Sequence, residues 1–106
     1  MSGKVMIFPA DIDQPIALTR RDSTPSLEEL QKLVGGYIEA VPHWDRQAGL
    51  PCVAWCNEEG KLDELPVNVR ATAAWYVTLG QRVDDVLVGN VVLCIGFEDE
   101  KDADDE

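Results

Sequence analysis

Apolar residues come in short blocks separated by polar turn-formers, and the period within the blocks changes along the chain. Lys4 to Phe8 is an apolar run closed by Pro9, and Ile16 to Thr19 is a second; the stretch Asp11-Ile12-Asp13-Gln14-Pro15 between them predicts a turn and two paired strands. A helix follows. Thr24 is placed to cap it, Pro25 takes the first helical position, Glu28 and Glu29 sit at the positive end of the dipole, and Leu27, Leu30, Leu33 and Val34 recur at helical spacing. Gly35-Gly36 ends it.

Tyr37 to Val41 reads as a strand, Pro42 to Gly49 as a loop, and Cys52 to Cys56 as the next strand, with Asn57-Glu58-Glu59-Gly60 as a turn into Lys61 to Leu65 and hence a hairpin. After Pro66, the stretch Val67 to Tyr76 carries alanines with Val69, Ala73 and Tyr76 at helical spacing, which predicts a short second helix. Asp85 to Val88, the pair Gly89-Asn90 and Val91 to Phe97 form the strongest β signal, suited to a central strand in a monomer or to an edge that pairs across a homodimer. The expected fold is α+β: an antiparallel or mixed sheet of about five or six short strands with one or two helices on one face. Residues 1–97 form a single domain in this reading, and 98–106 a disordered acidic tail.

Charge narrows the partners. The net charge is −11, of which the segment from Glu98 to Glu106 contributes −6 and residues 1–97 contribute −5. Such a surface repels phosphate, so direct binding to nucleic acid or to an anionic membrane is disfavoured, whereas a protein with a basic surface is attracted. The opening MSGKVMIF has an apolar stretch far shorter than a signal h-region, and no run reaches the ~18 residues of a membrane span, so the expected location is cytoplasmic. Three cysteines, an odd number, argue against a secreted disulfide framework.

Candidate chemistry is thin. Cys52, Cys56, Cys94 and His43 supply metal-ligand atom types, but Cys52 and Cys56 on one strand are separated by roughly 13 Å at ~3.3 Å per residue, too far to grip one ion or to form a disulfide. No metal or other cofactor is expected. Asn68 and Arg70 follow Pro66 at the mouth of the second helix, where an anion is favoured, and with Tyr37 and Glu39 they suggest a nucleotide pocket; the competing reading makes Asn68 an N-cap. Trp75 is expected in the core and Trp55 on the strand face opposite the cysteines. Trp44, between His43 and Asp45 in a loop, is the expected exposed interface anchor. An enzyme would rest on Glu39, His43 and Asp45 alone, and none is expected.

The segments LQKLVGGYIEAV (Leu30–Val41), WCNEEGKLDELPVNVRAT (Trp55–Thr72) and LVGNVVLCIG (Leu87–Gly96) together resemble the domain of unknown function 3846 family of small bacterial and phage proteins. The resemblance implies a setting in phages and mobile elements inside a bacterial host. The leading expectation is a non-enzymatic protein that binds and inhibits a host protein, a defence or nucleic-acid-handling factor, through acidic mimicry. The alternative is a protein that sequesters a nucleotide signal.

Overall fold

The computed structural model describes residues 2–97; the acidic tail expected at 98–106 lies outside them. The elements are β1 (Gly3–Phe8), β2 (Ala17–Arg21), α1 (Leu27–Val34), β3 (Ile38–Ala40), β4 (Arg46–Gln47), β5 (Leu50–Asn57), α2 (Val69–Leu79) and β6 (Val91–Ile95). The α+β class holds. The main sheet runs β2-β1-β6-β5-β3 with every pair antiparallel, and β4 pairs with the start of β5. All five residues of β6 are buried, as its uninterrupted Val-Val-Leu-Cys-Ile run requires of a strand covered on both faces.

The pleat divides the core in two. Along β6, Val92 and Cys94 join Val5 of β1 and Leu30 and Val34 of α1, while Val91, Leu93 and Ile95 join Phe8, Cys52 and Ala54 beneath Ala71 and Trp75 of α2. Each face of the sheet therefore carries its own helix, where the sequence reading put the helices on a single face. Cys52 and Cys56 share the α2 face, and Trp55 packs on the α1 face. No helix among the described residues is long and apolar enough to cross a membrane.

Three local readings change. The first helix is capped by Ser26, not Thr24: its hydroxyl accepts from Glu29 N–H at 3.1 Å, the Ser-x-x-Glu spacing of a capping box, and Pro25 stands before the cap. Lys61–Leu65 is a turn and not a strand: its backbone bonds are local, from Glu64 N–H to Lys61 O and from Leu65 N–H to Gly60 O, and it does not pair with β5. The Asp85–Val88 stretch contributes one bridge, Val67 to Val88, instead of a strand.

Candidate functional site

β3 is the short outer strand of the sheet, and its register sets Ile38 opposite Asn57 and Glu39 opposite Cys56. Directly opposed residues share a face, so Glu39 and Cys56 both point to the α2 side. Asn57 is buried and organises the turn that follows: its Nδ2 donates to Val34 O at 3.2 Å, and its Oδ1 accepts from Glu59 N–H at 2.8 Å, an Asx turn. A Cβ at Gly60 would stand 2.8 Å from Val88 Cγ2, so the missing side chain lets this turn close on the 85–88 segment. The Lys61–Asp85 ion pair joins the same two segments, and Tyr76 Oη donates to Asp85 O at 2.6 Å, anchoring that segment to α2.

Between them lies a cleft of about 140 Å³. Val41, Trp75 and Leu87 form its apolar depth; Glu39, Glu58 and the Lys61–Asp85 pair line it as well. The hydrogen bond from Lys61 holds the Asp85 carboxyl below the usual carboxylate range. Neither Glu39 nor Glu58 has an ion pair or side-chain hydrogen bond among the described residues. On the other side of the turn, Tyr37, 68% exposed, borders a shallow recess with Gly35, Glu59 and Asp63. Leu62, 83% exposed, projects from the turn beside the cleft.

Cys56 also lines the cleft, and burial, with smaller contributions from Glu39 and Asp85, pushes its thiol up to about 11. Burial and then Asp45 push Cys52 up to about 11 as well. The expected consequence is slow alkylation of both thiols in the native protein at pH 8, about a hundredfold below a thiol at its ordinary 9.0, since the thiolate is the nucleophile. The raised folded values also predict stability that is complete below about 9 and declines as pH rises from there toward about 11, because only the unfolded chain ionises easily in that window. Timed iodoacetamide labelling and urea unfolding across that pH range check the two statements.

The structure separates the residues that the sequence grouped. Tyr37 and Glu39 flank the acidic turn. Asn68 is fully buried, with its Nδ2 donating to Phe8 O and Gly89 O, each at 2.8 Å, and its Oδ1 accepting from Ala71 N–H at 3.0 Å. Arg70 donates to Pro9 O and Asp11 O, tying down the β1–β2 connection. These two residues are fastenings of the fold, and neither lines the cleft at Glu39 or the recess at Tyr37. His43 and Asp45 are exposed in the 42–49 connection and do not line the cleft.

Trp44 is overturned as an exposed anchor: it is 2% exposed, packed 6.2 Å from the Phe8 ring, with its Nε1–H donating to Gln47 Oε1. The loop that holds it folds back as β4 onto β5, which carries the indole into the α2-side core. Among the described residues, no group of three His, Cys, Asp or Glu side chains could hold a metal ion.

Glu58, Glu59, Asp63, Glu64 and Asp85 were missed as site residues. For the first four the signal was present as the charge run Glu58-Glu59-Gly60-Lys61-Leu62-Asp63-Glu64, which reads as an ordinary solvated turn until β3 and the 85–88 segment are set beside it; Asp85 joins them through its pair with Lys61.

What the fold and the site define is an α+β domain with an acidic, apolar-floored cleft at one edge of an antiparallel sheet. The chain belongs to the domain of unknown function 3846 family, whose model matches residues 4–105. No curated protein and no solved structure matches it.

Proposed function

We propose that this chain is a non-enzymatic binding protein that seats a basic surface of another protein against β3 and the 58–64 turn. One observation carries the reading. Of the thirteen acidic residues in 1–97, seven (Glu39, Glu58, Glu59, Asp63, Glu64, Asp84 and Asp85) lie on β3, this turn and the segment paired to it, and those stretches hold only Lys61 and Arg82 as bases. Acids concentrated around one turn and its neighbours steer a basic partner and repel nucleic acid. Tyr37 and Leu62 stand beside them as the apolar contacts that a purely electrostatic patch lacks. The partner we favour is a host defence or nucleic-acid-handling protein whose basic site is occluded, in the phage or mobile-element setting that the family resemblance suggests.

The test is affinity capture from bacterial lysate with three baits: the full chain, a variant carrying Glu39→Gln, Glu58→Gln, Asp63→Asn and Glu64→Gln, and a chain ending at residue 97. A basic protein held by the first and third baits and lost from the second supports the reading. Retention by the neutralised bait would overturn it, as would loss caused by removing the tail alone.

A further inference from the structure

We infer that the outward row Val69, Ala73 and Val77 of α2 is a two-fold interface, at which a second copy of this chain docks with its own α2 antiparallel to the first. The inference is independent of the docking face at β3.

One side of α2 turns Ala71, Thr72 and Trp75 into the core. A surface helix of that kind carries polar and charged residues on its opposite side. Residues 71–81 hold no Asp, Glu, Lys or Arg, in a chain of which 27% is charged. The outward side is apolar instead: Val69 is 63% exposed, Val77 is 81% exposed, and Ala73 is exposed between them. A helix that is apolar all round is one covered all round.

The row itself selects a second copy as the cover. Val69 and Val77 stand four residues to either side of Ala73, so the row reads the same in both directions. A two-fold axis at Ala73 seats each valine beside the small residue of the other helix, the packing of two i±4 rows that is commonest between helices. Charge then selects the antiparallel arrangement. Arg70 donates to Pro9 O and Asp11 O, which fixes the 11–13 turn at the N-terminal end of α2, while Arg82 follows the C-terminal end. Antiparallel helices bring Arg82 of each copy toward Asp11 and Asp13 of the other, and Asp84 toward Arg70; parallel helices would set like ends together. Two acidic chains repel over most of their surface, and the uncharged face of α2 is where they meet without opposed carboxylates. At 11 residues, α2 is about 16 Å long. It covers less than the ~800 Å² per partner of a standard interface, so the dimer is weak, with a Kd above about 1 μM.

The experiment is sedimentation of the full chain from about 10 μM to about 1 mM in about 0.15 M salt, where charges further apart than about 8 Å are screened. The ¹⁵N-labelled amides of Ala73 and Val77 are followed over the same range. The expected result is a monomer–dimer equilibrium with concentration-dependent shifts of both amides. Ala73→Glu sets two carboxylates against each other across the axis and weakens the dimer by about tenfold or more. Its position is exposed and glutamate is a good helix former, so thermal unfolding of the dilute variant matches the wild type. Asp13→Arg and Arg82→Asp each weaken the dimer, and the two together recover affinity. A monomer throughout the range overturns the interface, as does a dimer that Ala73→Glu leaves unchanged, which would place the contact on another face. Failure of the paired charge swap to recover affinity overturns the antiparallel arrangement.

Discussion

Trp44→Ala lowers the free energy of unfolding by about 3–5 kcal/mol, the range of a buried Trp truncated to Ala. The indole is 2% exposed, lies against Phe8, and occupies the α2-side core with Cys52, Ala54 and Trp75, so its removal leaves a cavity that the surrounding strands cannot close. Against a total stability of about 5–15 kcal/mol, a loss of that size is visible at once as a lower urea midpoint at constant slope. Trp44→Phe keeps much of the volume and gives up the bond to Gln47 Oε1, and should lose about 1–2 kcal/mol. An exposed anchor would behave differently, changing stability by less than about 0.5 kcal/mol on truncation.

Asn68→Ala is expected to cost about 2–4 kcal/mol. One side chain performs two tasks: its Oδ1 caps α2 through Ala71 N–H, and its Nδ2 satisfies the carbonyls of Phe8 at the end of β1 and of Gly89 before β6. Loss of the cap accounts for about 1 kcal/mol. The remainder comes from two buried carbonyls stripped of their donor. Asn68→Ser separates the parts, because a serine hydroxyl still caps but does not reach both carbonyls. Its expected loss is intermediate, and thermal unfolding of the three proteins side by side gives the order wild type, Ser, Ala. Equal stability of the Ser and wild-type proteins would show that the cap alone matters.

Where local chemistry decides the structure, the sequence was legible. The short apolar run Lys4–Phe8 closed by Pro9, the continuous apolar run from Val91, and the glycine that ends α1 in a left-handed conformation each act over a few residues. Trp44 and Lys61–Leu65 were misread for the opposite reason. Polar neighbours around Trp44 disguise a side chain that is buried by a strand pairing further along, and Lys61–Leu65 closes on itself through the bonds from Glu64 N–H to Lys61 O and from Leu65 N–H to Gly60 O. The cleft was half legible. Glu39 lines it and Tyr37 borders the recess beyond the turn, but their neighbours come from the 58–64 turn and the 85–88 segment, which are distant in sequence and meet at the Lys61–Asp85 pair and at Gly60 and Val88. Asn68 and Arg70 were drawn toward a pocket by a helix N-terminus that Asn68 itself caps through its Oδ1, while the remaining donors of both side chains are taken up by carbonyls of the β1 end and the loops beside it.

The most direct test of the acidic docking face is calorimetric titration of a short arginine-rich peptide into the full chain and into the variant carrying Glu39→Gln, Glu58→Gln, Asp63→Asn and Glu64→Gln, each at low salt and near 0.3 M. The account predicts binding by the full chain that weakens with salt, and a loss of at least tenfold, about 1.4 kcal/mol, on neutralising the face even with residues 98–106 in place. Equal affinity of the two proteins, with binding abolished only when residues 98–106 are removed, would contradict it.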